Sequence, residues 1–166
     1  MIPDATSQLA EAIAAHLGHT PPHLGQRQPP SPQRNPVVVI AYSAAESGQP
    51  ADFRIELDNT DLYVALVMFD RWQSHSIEAD LLNTGDKIEG LIGDELAELG
   101  YEERTPGDSQ APCAHFRTED KLFTFRTRLP IGSTDPDAAA TASIWLKAYV
   151  AAFTQLGDIG GGGGGH

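Results

Sequence analysis

The stretch FRIELDNTDLYVALVMF, Phe53 to Phe69, decides the fold. Its first part alternates strictly. Phe53, Ile55 and Leu57 point one way while Arg54, Glu56 and Asp58 point the other, the period-two pattern of a half-buried strand. After a polar turn at Asn59 and Thr60, the run Leu62 to Phe69 is apolar on both faces, which places it centrally in a sheet. The connection is too short for a crossover helix, so the two strands form an antiparallel hairpin.

On the N-terminal side of this hairpin, VVVIAYS (Val37 to Ser43) is a β-branched apolar run and reads as a buried strand. Earlier still, Gly18 to Pro36 holds six of the 12 prolines. That composition opposes both helix and sheet hydrogen bonding, so 19–36 reads as a semi-extended linker. It joins the body to a short amphipathic helix within residues 1–18, marked by Leu9, Ile13 and Leu17 at a spacing of four. On the C-terminal side, residues 70–83 show no decisive period. The pattern turns helical from about Thr84 to Leu99, with Ile88, Leu91, Ile92, Leu96 and Leu99 on one face and Gly100 as its stop. The segment CAHFRTEDKLFTFRTRL reads as two strands joined near Glu119 and Asp120, ending at Pro130. A last helix runs from about Asp137 to Leu156, capped by Thr134 or Asp135 with Pro136 at its first position. The predicted order is α-βββ-α-ββ-α: an α+β domain over 37–157, with an antiparallel five-stranded sheet and helices packed mainly on one face. The glycine-rich tail, 158–166, is expected to be disordered because glycine has nothing to bury. It also lacks the following helix that a phosphate cradle needs.

Charge and length narrow the function. The 166 residues suit a single core, and a net charge of −12 repels phosphate backbones and anionic membranes, so neither nucleic acid nor membrane is an expected partner. One cysteine, Cys113, fits a reducing compartment, and no stretch has the length of apolar sequence that a membrane span requires; a cytoplasmic protein is expected.

Few residues carry a chemical signal. Cys113 and His115 share a strand face, but their spacing separates them by about 6–7 Å at Cα, too far for a thiolate–imidazole pair, and an ordinary strand pair is the simpler reading. His16, His19 and His23 resemble a metal cluster in composition alone, because Pro21 and Pro22 break the helix that would align them. No metal or cofactor is expected, no catalytic residue is assigned, and the chain is read as non-enzymatic. Glu95 is the odd residue, since it falls within the apolar stripe of its helix. Either the helix lets it reach water or it meets an arginine such as Arg126 or Arg128; these three form a possible polar site. Charge is also uneven: Glu78 to Asp108 carries ten acids against two bases. That is either a solvated face or a landing surface for a basic partner.

Between Ala138 and Gly157 the only charge is Lys147. A helix apolar nearly all round must be covered nearly all round, by the first helix, a second subunit or a bound chain. Ile144, Trp145, Ala148 and Tyr149 are therefore the expected partner-binding residues, with a homodimer built on this helix.

The element order, and the ending KLFTFRTRLPIGSTDPDAAATASIWLKAYVAAFTQL from Lys121 to Leu156, are similar to the small chaperone-like fold shared by type III secretion chaperones and YbjN-like bacterial proteins. The similarity covers about residues 36–156. It implies an acidic, dimeric, non-enzymatic protein that holds extended polypeptide on apolar patches, and it supplies no catalytic residue. The proline-rich linker departs from the compact family pattern. The function expected from sequence is thus a protein-binding or chaperone-like module. The alternative is a small-ligand binder or enzyme with a pocket between the sheet and the 84–99 helix.

Overall fold

A computed structural model describes residues 5–17, 24–27, 37–44, 51–69, 71–85, 88–100, 113–117 and 123–154. In chain order they form α1 (Ala5–Leu17), β1 (Leu24–Arg27), β2 (Val37–Ala44), β3 (Ala51–Asp58), β4 (Asp61–Met68), α2 (Arg71–Thr84), α3 (Ile88–Glu98), β5 (Cys113–Arg117), β6 (Phe123–Gly132) and α4 (Ala138–Phe153). The α+β class and the antiparallel sheet are as expected. The strand count is not: the sheet has six strands in the order β1-β2-β3-β4-β6-β5. Four long strands, β2, β3, β4 and β6, make its body, and two short ones form its edges.

The unexpected strand is β1, inside the segment read as linker. Its four residues, LGQR, lie between two pairs of prolines, and β1 pairs with β2 at Leu24↔Ala44 and Arg27↔Tyr42 with an irregular register. A second addition is α2, which occupies the stretch that showed no decisive period. Gly85, at φ +74°, ends it, and α3 therefore starts at Ile88 rather than near Thr84. Gly100 stops α3 as expected, at φ +75°, donating its N–H to the Ala97 carbonyl. At the start of α4, Asp135 accepts the Asp137 N–H at 2.8 Å through Oδ1, and the helix begins at Ala138.

The hairpin of β3 and β4 follows the sequence reading closely. The strands pair from Ala51↔Met68 to Asp58↔Asp61, leaving a two-residue turn in which Asn59 adopts φ 57°, a region asparagine tolerates better than most residues. That turn is clamped from β6. Ser133 donates its N–H to the Thr60 carbonyl at 2.8 Å, and a Cβ on Gly132 would stand 2.9 Å from the same oxygen.

The core lies between the sheet and α4. Phe53, Ile55, Leu62, Val64, Leu66 and Met68 meet Trp145, Tyr149 and Phe153, all of them buried. The rings of Phe125, Tyr149 and Phe153 form a tilted chain with centroids 5.0 and 5.1 Å apart. One polar contact sits among them: the Thr127 and Tyr149 hydroxyls lie 2.6 Å apart, both buried. On the sides of α4 that do not face the sheet, α1 packs with Ala10, Ile13 and Leu17 and α3 with Ile92 and Leu96. The first helix, offered by sequence as one of three possible covers, is thus one of the covers in place. The alanines of α4 let these neighbours approach, because a helix surface without long side chains permits a short interaxial distance.

Two substitutions test this packing. Tyr149→Phe leaves the buried Thr127 hydroxyl without its partner and is expected to cost about 1–3 kcal/mol in denaturant unfolding, most of it recovered by adding Thr127→Val. Gly132→Ala forces the Thr60 turn to shift and is expected to cost about 1–3 kcal/mol.

Candidate functional site

Three of the four residues expected to bind a partner are inside this chain. Trp145 is 1% exposed and Ala148 and Tyr149 are fully buried, while Ile144 is half-buried against the core. The expected partner-binding set is thus covered within the chain, since of the three covers considered the first helix, together with α3, occupies the sides the sheet leaves free.

The possible polar site is also rearranged. Phe125 and Thr127 both contact α4, so Arg126 between them projects from the opposite face of the sheet. It reaches across β4: its guanidinium lies over the Tyr63 ring at 3.6 Å, and its Nε stands 3.4 Å from Glu56 Oε1 on β3. Arg54 sits on the same face, 4.0 Å from Glu56 and 3.4 Å from Asp52. Arg128 pairs instead with Asp61 at 3.1 Å on the surface. Glu95 is half-buried on α3, which packs on α4, so the Glu95–Arg126 pair does not form. The reason is a rotation of the buried arc of α3. Ile88, Ile92, Gly93 and Leu96 face inward, which moves Glu95 to the rim and leaves Leu99 exposed.

Arg54, Glu56 and Arg126, with Tyr63, form a charged cluster that sequence did not identify. The Glu56 side chain is only 6% exposed, and neighbouring Ala65, Val67 and Thr124 are buried, so this face too is shielded from water. Burial pushes the Glu56 carboxyl above its ordinary value, outweighing the opposing pull of Arg126 and Arg54; Asp52 is raised in the same way. The hydrogen bonding is poor: Arg54 Nε and Arg126 Nε and Nη2 are buried without a well-aligned hydrogen bond, although Arg126 Nε lies within ion-pair distance of Glu56. The cluster contains no nucleophile or metal-ligand set. It links β3 to β6 across β4, at the desolvation cost that buried charges carry.

A second feature is open to water. A groove of about 660 Å³ lies against α2, lined by His75, Glu78, Leu81, Leu82 and Gly85 together with Phe125 of the sheet. Leu82 is 83% exposed. His75 Nδ1 and Glu78 Oε2 lie 3.7 Å apart at the rim. This groove lies against α2 and not at the expected position between the sheet and the 84–99 helix; α3 packs on α4.

Of the remaining sequence candidates, His16 is exposed at the end of α1. Cys113 and His115 occur in β5, opposite Thr127 and Phe125. His19, His23 and the glycine-rich tail lie outside the described residues. Among the described residues no group of three metal-ligating side chains occurs, and no helix is long and apolar enough to cross a membrane. The chain matches no family model, no curated protein and no solved structure.

The raised Glu56 pKa gives a pH test. The folded chain holds this proton above 4.5, where the unfolded chain releases it, so the stability Glu56 contributes is present at low pH and lost as pH rises through the raised value. Glu56→Gln cannot ionise. The stability difference, wild type minus Glu56→Gln, is expected to fall as pH rises from about 4.5 toward 7. A pH-independent difference in urea unfolding would show that the carboxyl is not shifted.

Proposed function

We propose that this protein is a non-enzymatic binding module for polypeptide, and that the groove along α2 is where its partner seats an apolar side chain. The observation that carries this reading is Leu82, a large apolar residue held in water beside half-buried Leu81 and above Phe125. Single exposed leucines are common, but one that borders a concave apolar floor can lose its water contact only against an incoming group. Glu78 lines the groove, Asp80 lies on the same helix, and Glu89, Asp94, Glu95 and Glu98 follow on α3. Glu78 in the lining, with the negative charge of the two helices, selects a basic partner segment.

The groove favours peptide over metabolite. Its volume falls in the range of small-molecule pockets, but it is open rather than enclosed, and a small ligand there would keep much of its surface in water. An extended or helical segment covers a long open groove and draws its affinity from one or two anchors. The similarity of element order to secretion chaperones and YbjN-like proteins agrees with a polypeptide ligand, although β1 and α2 are additions to that order.

The test uses the whole chain to select from a random-sequence peptide display library. Enriched peptides are expected to combine Leu, Phe or Met with nearby Lys or Arg, and to bind more weakly as salt rises. Leu82→Asp, on the surface and harmless to the core, is expected to weaken a selected peptide about 10- to 100-fold, the worth of one buried leucine. Absence of enrichment, or binding indifferent to Leu82→Asp, would overturn the proposal.

A further inference from the structure

The spacing of the residues around the α2 groove, and the state of the backbone beside it, narrow what can occupy it. Four lining residues, His75, Glu78, Ala79 and Leu82, recur at intervals of three and four. On a helix of 3.6 residues per turn they fall within an arc of about 100°, and Ile77, the buried residue that joins α2 to the core, lies well outside it. His75, Ala79 and Leu82 are exposed. About two turns of one helix side therefore face water, small at Ala79 and apolar at Leu82.

The groove offers side chains and no strand edge. Its residue from the sheet is Phe125, and β6 is paired on both sides there, with Leu66 of β4 and His115 of β5. The backbone of α2 is engaged in its own turns down to Leu81, which accepts the Gly85 N–H at 3.0 Å. An extended segment laid here finds no main-chain partner among the described lining residues, and strand addition draws its affinity from such partners. A helical segment brings its backbone bonds with it and needs only complementary side chains. Ala79 lets such a helix come close, because interaxial distance is set by the side chains at the contact. The charge is complementary to a cation: Glu78 stands in the lining, and α2 and α3 together hold six acids against Arg71.

We propose, on the reading of the groove as a polypeptide site, that its partner is a basic amphipathic α-helix packed against the 75–82 side of α2. One of its apolar side chains sits between Leu82 and Phe125, and a Lys or Arg faces Glu78. Its apolar residues recur at intervals of three and four, so that a single stripe meets the ridge on α2.

Two display libraries of peptides about 18 residues long, enough for a helix to form, are panned against the whole chain. In one, Leu, Phe or Met recurs at intervals of three and four among Lys, Arg, Ala and Gln; in the other the same residues alternate. The helical library is expected to enrich. Its best binder is expected to gain helical ellipticity in far-UV circular dichroism on mixing with the protein. A proline at the peptide's centre is expected to weaken binding about 100-fold, and Leu82→Asp about 10- to 100-fold. Glu78→Lys is expected to weaken it about 5-fold at low salt, with recovery when one peptide Lys is exchanged for Glu; this variant carries the test if Leu82→Asp fails to fold. Enrichment of the alternating library alone, or binders that tolerate the proline, with binding still lost on Leu82→Asp, would overturn the helical occupant and leave the polypeptide site standing. Enrichment of neither library, or helical peptides that bind both variants as tightly as wild type, would overturn both.

Discussion

The fold depends on covering α4. With Lys147 as its one charge, this helix has no face suited to water, and its free energy is met only when most of its circumference is packed. The sheet covers one side through the stack of Phe125, Tyr149 and Phe153. The α1 and α3 helices cover the rest. The N-terminal helix, which local sequence leaves loosely tethered, is therefore part of the core, and the helix most suggestive of an interface is the best shielded of the described helices.

Both faces of the sheet are consequential. On the helix side it builds an apolar core with one hydroxyl pair, Thr127 with Tyr149. On the other it holds a buried carboxyl group between two arginines, an arrangement that spans three strands and carries a desolvation cost. Among the described residues, the side of α2 carries the most exposed large apolar side chain, Leu82, beside the groove that Glu78 also lines.

Much of this was legible in the chain. Phe53 to Phe69 specified its hairpin, including the turn at Asn59, because period-two alternation and a short polar connection are local properties. The run Leu62 to Phe69, apolar on both faces, also carried an unused signal: if Ala65 and Val67 are buried, the outward-facing Arg54 and Glu56 on the adjacent strand are shielded with them. The strand β1 was not legible. Four residues without β-branching, set among prolines, become a strand only because the β2 edge supplies the missing partner. The α2 helix was missed for a related reason: among its described side chains Ile77 alone is fully buried, too few to make a stripe.

Sequence alone determined the fold class, the central hairpin, the positions of α3 and α4, and the requirement that α4 be covered, since propensity, periodicity and composition act within a few residues of one another. Only tertiary structure decided what covers it, and that Arg126 meets Glu56 across Tyr63 rather than Glu95. Such pairings join residues 70 positions apart through strand order and helix rotation, and these depend on how all the elements pack at once.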